Sequence, residues 1–344
     1  MSSLDTGSQG LRIATINLLN FIEPPLACYE SDNIYSHAQW QAKCAWLACY
    51  IKRLKPDVIA FQEVFSPGAL TLLLEPLGFK WVKVVEEPGL LQDYIYNRPV
   101  NAIASRFPVI DCGPAAASGD VSRALGIDAG FQFSRSPVWC RIDMPLMGPC
   151  DFYCVHLKSK RPSLDTDLLE SELDDATLHT LSRQLGRASS ALMRGAEAAV
   201  LMHEIIARRS RDGFPVALLG DFNDLLSAAV LDVLHVDDDI DAWLTQAADR
   251  RDPGLDRFGL RDSFNLHRLH AGEIERTPTH YWGGRGSVLD YILLSSEFDP
   301  RSASSTMDVT EFRVCDRHMF GPESVMEKES SDHAPVQVTL IPRP

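Results

Sequence analysis

Gly220-Asp221-Phe222-Asn223 closes the apolar run Val216 to Leu219 and carries the most specific chemistry in the chain. Side chains alternate along an extended backbone, so Asp221 and Asn223 point the same way while Phe222 turns to the core. A carboxylate beside an amide can orient or deprotonate a water and donate a hydrogen bond to a phosphoryl oxygen. The glycine lets the backbone bend or approach a neighbour closely. A strand followed by an Asx-type turn accounts for the same four residues equally well, so support has to come from elsewhere.

Ser331-Asp332-His333 precedes the apolar run Ala334 to Leu340. Histidine exchanges protons near neutral pH, and a carboxylate can set its tautomer and raise its basicity. Alone, the tripeptide is more often a polar turn. Asp290 is a charge inside the apolar stretch Val288 to Ile292, costly unless paired, and His333 is its economical partner. Glu63 closes the run Val58 to Glu63 and puts a carboxylate at the mouth of a sheet, where Mg²⁺ usually takes one or two such groups plus water and phosphate. Glu63 is therefore the expected metal ligand. Asn17, ending the first strand, is expected to hold Glu63 or a metal-bound water in place, unless it merely caps a turn. His156 ends the run Phe152 to His156 and precedes Lys158, Lys160 and Arg161, which could meet substrate phosphates. Trp282, flanked by Gly283 and Gly284 in a loop before the Asp290 strand, could stack on a base or sugar, although such a loop aromatic is as often a packing plug.

Seven short runs of β-branched and apolar residues have to position these groups: Leu11 to Asn17, Val58 to Glu63, Ala102 to Arg106, Phe152 to His156, Val216 to Asp221, Leu289 to Ser295 and Ala334 to Leu340. All read as strands, and several are apolar on both faces, which suggests stacked sheets with helices outside. Tyr35 to Leu54 has apolar residues near helical spacing and stops before Pro56, a predicted helix. Ser190 to Arg209 is predicted as a second, with a basic last turn that suits the helix dipole. Asp165 to Asp175 holds six acids and no base, and Asp232 to Asp256 is rich in aspartate; both read as solvated surface segments. A cover over the site is the rarer meaning of the first.

The chain has 344 residues, 45% of them hydrophobic, which suits one large domain over 11–341 after a flexible 1–10. No run approaches the roughly 20 apolar residues of a membrane helix, and Met1 to Gly10 lacks the blocks of a signal peptide, so a cytoplasmic, monomeric protein without stable membrane association or an obligate partner is expected. Eight scattered cysteines form no CxxC pair and read as reduced thiols. A net charge of −14 argues against tight passive binding of nucleic acid. It does not exclude a nuclease, which needs positive charge only at the scissile phosphate.

Asn17, Gln62-Glu63, Ala104-Ser105-Arg106-Phe107-Pro108, His156-Leu157, Gly220 to Asn223, Leu289-Asp290-Tyr291 and Ser331-Asp332-His333 occur in an order and spacing that resembles the endonuclease/exonuclease/phosphatase superfamily. The resemblance spans Leu11 to Leu340 and implies a deoxyribonuclease-like four-layered α/β sandwich, two packed, mostly antiparallel sheets flanked by helices. It further implies that Glu63 binds Mg²⁺ or Mn²⁺ with Asn17 and Asp332 beside it, that Asp221 and Asn223 handle the water and a phosphate oxygen, and that Asp290 and His333 form an acid/base dyad. Arg106 joins Lys158, Lys160 and Trp282 among the implied substrate contacts. A histidine at 156 is similar to the pancreatic-type deoxyribonucleases, the sphingomyelinases and several phosphatases. Asn17 to Phe21 and His156 to Lys160 also resemble bacterial extracellular nucleases. The acidic partner that His156 has in the pancreatic-type enzymes is not legible here.

A nuclease or other phosphodiesterase is the leading expectation, with nucleic acid as substrate, because Lys158, Lys160 and Arg161 sit next to His156. A lipid phosphodiesterase would need an exposed apolar hairpin, and Phe79 to Leu91 is interrupted by acids. A phosphatase of a small metabolite suits the acidic composition. A non-catalytic binding module would have lost metal or histidine positions, and all are present.

Overall fold

The seven apolar runs are seven of the twelve strands in two six-stranded sheets; Trp81–Lys83, Val109–Pro114, Val138–Met144, Arg261–Asp262 and Met307–Val314 are the five that the runs did not include. In chain order the twelve are β1 (Leu11–Phe21), β2 (Val58–Val64), β3 (Trp81–Lys83), β4 (Val100–Ser105), β5 (Val109–Pro114), β6 (Val138–Met144), β7 (Gly148–His156), β8 (Val216–Asp221), β9 (Arg261–Asp262), β10 (Asp290–Leu294), β11 (Met307–Val314) and β12 (Val336–Pro342). One sheet has the order β11-β12-β1-β2-β4-β3, the other β9-β10-β8-β7-β6-β5. This computed structural model describes residues 10–127, 130–164, 174–236, 257–320 and 325–343.

Neighbours in both sheets are antiparallel except β1 with β2 and β7 with β8. Two parallel neighbours end at the same sheet edge. The parallel pair β1–β2 therefore delivers Asn17 and Glu63 to one edge, and β7–β8 delivers His156 opposite Asp221. Antiparallel β10 starts where β8 ends, with Asp290 opposite Asp221. Val336 of β12 lies opposite Thr15 of β1, so His333 comes just before β12 at that edge.

The period-two alternation of the strands sorts their side chains into layers. Ile13, Val58 and Ala60 of one sheet meet Phe152, Ala217, Leu219 and Ile292 of the other in the central core. On the outer face of the first sheet, Ala14, Ile16, Ile59 and Phe61 pack on Trp46, Leu47, Ile51 and Leu54 of helix α1 (His37–Leu54). On the outer face of the second, Tyr153, Val155, Val216 and Leu218 pack on Ala198, Leu201 and Ile205 of helix α2 (Asp175–Asp212). Helix, sheet, sheet and helix make the expected four-layered sandwich.

Helix α1 begins at a Ser36–Gln39 capping box, two residues inside the predicted start. Helix α2 is 38 residues long, far longer than the stretch Ser190 to Arg209 predicted for it. The acidic run hid its beginning: Asp174 is the N-cap, accepting from Thr177 N, and Asp175 sits in the first turn, where the helix dipole favours negative charge. The rest of that run, residues 165–173, most of the Asp232 to Asp256 segment and the N-terminal 1–9 lie outside the described residues. Among those described, no helix is long and apolar enough to cross a membrane.

Gly220 is the glycine on which the site's position turns. Its φ is +147°, and a Cβ there would lie 2.0 Å from the Val155 carbonyl oxygen on the paired strand β7. Gly220→Ala should therefore cost roughly 2–5 kcal/mol of stability, combining backbone strain with overpacking. Chemical denaturation reads this directly; a variant within 0.5 kcal/mol of the parent, about the size of an ordinary surface effect, would mean that β7 and β8 are not held this closely.

Candidate active site

Four strand ends converge on the carboxylate of Asp221, which is 1% exposed. Its Oδ1 accepts from the Asn223 backbone N–H at 2.8 Å. Its Oδ2 accepts from Asn17 Nδ2 at 3.1 Å and lies 3.5 Å from His156 Nε2 and 3.9 Å from His333 Nε2. Burial raises the Asp221 carboxyl to about 7, against the attraction of His333 and with the help of Asp290.

His333 Nδ1 is 2.8 Å from Asp290 Oδ2, the pairing expected from the sequence. The ring nitrogen donates to the carboxylate, which fixes the tautomer. Burial opposes a charge on His333, but the carboxylates of Asp290 and then Asp221 overcome it and raise the imidazole well above its usual value. His333 N also donates to Ser331 Oγ, whose hydroxyl in turn donates to the Asn17 carbonyl at 2.7 Å, tying the Ser331 to His333 turn to the end of β1. His156 behaves oppositely. Burial first, then Arg135 and His333, hold it well below its usual value, so it is a neutral ring.

Glu63, the next-to-last residue of β2, has φ +61°, and both pairings of β2 shift register beside it. Such a bulge re-aims a side chain at the end of a strand. Glu63 Oε2 accepts from Asn20 N at 3.0 Å, and Asn17 Nδ2 lies 3.5 Å from Oε1. Next to it the buried Asn20 Oδ1 has no hydrogen-bond partner. The unpaired Asn20 amide oxygen and the Glu63 carboxylate are oxygen donors that fit a hard divalent cation such as Mg²⁺ or Mn²⁺, whereas Asn17 turns Nδ2 toward Glu63 and accepts from Leu19 N through Oδ1, so it positions the carboxylate. Asp332 is exposed and lies at the rim, grouped with His280 and His333.

Of the basic residues, Lys158 lies beside His156, its backbone N–H donating to Glu197 Oε2. Lys160 is ion-paired with Asp224 at 2.5 Å, so it is a partner of that carboxylate before it is a substrate contact. Asn223 donates one amide hydrogen to the Leu157 carbonyl at 2.9 Å and keeps the other. Trp282 is 82% exposed at the tip of the hairpin made by His280–Trp282 and Arg285–Ser287. Arg106 is a correction. It follows Ser105, which pairs with Val58 at the start of β2, so it lies at the end of the sheet opposite Glu63. There its guanidinium donates to the carbonyls of Pro56 and Leu77 and stacks on Phe79, which makes it a structural clamp.

Three neighbours of the site escaped the sequence reading. Arg135 Nη1 is 3.4 Å from the His156 carbonyl, its Nε is buried without a partner, and it forms no ion pair among the described residues. The buried His156 Nδ1 has no hydrogen bond among the described residues, so no acidic partner is found there. Lys43 of α1, 1% exposed, donates to the Ser330 carbonyl at 2.8 Å beneath the Ser331 to His333 turn. Burial pushes it down to about 8 although Glu63 and Asp332 oppose the shift. His280 stands next to His333 across a β-bridge. A lysine at a core-facing position of a predicted helix was the one available signal for Lys43; the other two became visible only when the strands were placed.

A model of the endonuclease/exonuclease/phosphatase family matches residues 47–333. No curated protein matches the chain. Among solved structures, the human Nocturnin catalytic domain with bound sulfate is 13% identical, with a TM-score of 0.56 over 97% of this chain and 95% of that one. An endonuclease/exonuclease/phosphatase from Bacteroides vulgatus is 15% identical, with a TM-score of 0.54 over 97% of this chain and 99% of that one. A humanized D. rerio TDP2 is 13% identical, with a TM-score of 0.53 over 97% of this chain and 100% of that one. At such identities the likeness speaks for the fold.

Proposed function

The chain belongs to the endonuclease/exonuclease/phosphatase family, whose members are generally divalent-metal-dependent hydrolases of phosphoester bonds, and from that premise we propose that it is a Mg²⁺-dependent phosphodiesterase acting on nucleic acid. Mg²⁺ held at Glu63 and the Asn20 amide oxygen, with Asn17 positioning Glu63 and Asp332 at the rim, would supply charge neutralisation at the phosphate. Asp221 orients a water and takes its proton as the water oxygen bonds to phosphorus. His333, kept protonated by Asp290, gives a proton to the leaving oxygen as the P–O ester bond breaks. The free amide hydrogen of Asn223 binds a phosphoryl oxygen, and neutral His156 flanks the attacked group without adding charge.

The observation that favours a diester of a polyanion over a small monoester is the pair Arg135 and Lys158. Both lie beside His156 and neither forms an ion pair among the described residues; the Arg135 charge helps to lower Lys158, after burial. The Glu197 carboxylate accepts from Ser134 N and Lys158 N and so holds the two backbones together, which leaves both side-chain charges for a phosphate next to the scissile one. The −14 charge of the whole chain keeps passive binding weak while this local cluster acts at the site.

Purified protein with Mg²⁺, Mn²⁺ or chelator should be offered plasmid DNA, bis-p-nitrophenyl phosphate and p-nitrophenyl phosphate. Metal-dependent nicking of plasmid is expected, and Arg135→Ala should raise KM for DNA by about 10- to 100-fold, the worth of one charge-assisted hydrogen bond, with a smaller effect on the small diester. Cleavage of the monoester alone, with intact plasmid, would move the protein to the metabolite phosphatases.

A further inference from the structure

The segment that leaves β7 runs back along helix α2 toward the start of that helix. Arg194 Nη1 donates to the Lys158 carbonyl at 3.0 Å, Ser190 Oγ to the Arg161 carbonyl at 2.7 Å, and Ser163 N to the Gly186 carbonyl at 3.2 Å. Arg194 and Ser190 share one face of the helix, and steps of three or four residues toward its start continue that face through Arg187, Arg183 and His179. All three are exposed. We propose that Arg161, Arg187, Arg183 and His179 form a cationic track leading away from the active site, which holds phosphates of a nucleic-acid strand beyond the scissile one; the inference rests on the phosphodiesterase reading.

The charge pattern carries it. Residues 176–196 hold His179, Arg183, Arg187 and Arg194 and no acid, in a chain with 47 acidic and 33 basic residues. An ordinary solvated helix face interleaves the two signs, because opposite charges four residues apart support a helix and like charges weaken it. Arg183 and Arg187 are four apart, so the helix carries them against its own preference, and a polyanion relieves that repulsion. Asp224 accounts for the neighbouring bases, pairing with Lys160 at 2.5 Å and with Arg194 at 2.6 Å. Arg161, Arg183 and Arg187 form no ion pair among the described residues. Burial first, then Arg135, with Arg194 and Arg161 behind it, hold Lys158 below its usual value against Glu197, so like charges are already crowded where the track meets the site. Successive bases on the stripe are roughly 6 Å apart along the helix, which lets each meet a separate phosphate. From the level of Arg194 to His179 the track runs roughly 22 Å. That length spans about six nucleotides of a duplex at about 3.4 Å each.

Fluorescence anisotropy of labelled single-stranded DNA at low salt, with chelator present, reads binding without turnover. A dodecanucleotide is expected to bind the wild type far more tightly than a dinucleotide, which is too short to reach the stripe. Arg183→Gln combined with Arg187→Gln should weaken dodecanucleotide binding at least about tenfold, as two charge-assisted contacts are lost. The slope of log Kd against log salt should flatten by about 1.4, at about 0.7 for each phosphate contact removed from a single strand. Glutamine keeps the helix propensity of arginine. Lys52→Gln combined with Arg53→Gln removes the same charge from the last turn of α1, on the outer face of the other sheet, and should leave binding as it was. Unchanged dodecanucleotide affinity in the Arg183→Gln, Arg187→Gln protein overturns the proposal, as does an equal loss in the α1 variant or no binding by the wild type. Binding to phosphatidylserine vesicles that the same two substitutions abolish, with no binding of the dodecanucleotide, overturns it in favour of a membrane contact. The phosphodiesterase reading is tested separately by metal-dependent hydrolysis of bis-p-nitrophenyl phosphate, which is too small to reach the track.

Discussion

Asp221→Asn lowers kcat by about 10³- to 10⁴-fold, on the scale of losing a general base, and leaves a folded protein. Four strand ends meet at this one carboxylate, and its Oδ2 alone faces Asn17, His156 and His333. The asparagine keeps an oxygen for the Asn223 N–H, so the turn survives while the base is gone. The carboxylate is there at a cost to the fold. Its folded-state pKa is raised from 3.8 to about 7, so between those values the folded chain holds a proton that the unfolded chain has released. The sign follows: wild-type stability falls relative to Asp221→Asn as the pH climbs from about 4 to about 7, and stays lower above that window. Denaturation at about pH 4 and about pH 8, the two ends of that window, reads the stability effect, and steady-state kinetics reads the loss of the base. A variant that retains a tenth of wild-type kcat removes Asp221 from the reaction; one with no relative gain in stability at high pH removes the burial argument.

Much of this site was legible because it lies at strand ends. Periodicity located β1, β2, β7, β8 and β10 within a few residues, and a polar residue ending an apolar run marks the place where a sheet meets solvent. Asp290 was legible from cost alone, a charge inside an apolar strand that had to find a partner. Arg106 misled because the motif around it is local while its function depends on which end of the sheet it occupies; strand direction, set by pairing with β2, puts it at the far end. Arg135 and His280 were hidden for the same reason in reverse. Nothing in Ser134-Arg135-Ser136-Pro137 says that it will lie beside His156, a contact made by chain crossing between elements 21 residues apart. Helix α2 was underestimated because its first turns carry polar and charged residues, whose role in capping is invisible to an apolar count.

The pH–rate profile should be bell-shaped, and Asp290→Asn should narrow it from the alkaline side. On the acid limb Asp221 has to ionise. Its carboxyl is raised to about 7 by burial, and a cation at Glu63 favours the carboxylate, so the limb of the metal-loaded enzyme lies lower. On the alkaline limb His333 must hold its proton, and the Asp290 and Asp221 carboxylates keep it charged well above the usual imidazole range. Removing the Asp290 charge leaves burial, which lowers His333, less opposed. The alkaline limb then falls toward neutrality, so the loss in kcat/KM grows with pH. Asparagine still accepts the Nδ1–H, which separates the loss of charge from loss of the tautomer. His333→Ala should remove the limb altogether along with about 10²- to 10⁴-fold of kcat. His156→Gln is the internal contrast: since His156 is already neutral, held down by burial and by Arg135, its replacement should leave the alkaline limb where it was. If Asp290→Asn leaves that limb unmoved, or His156→Gln moves it, the proton donor is not the His333–Asp290 pair.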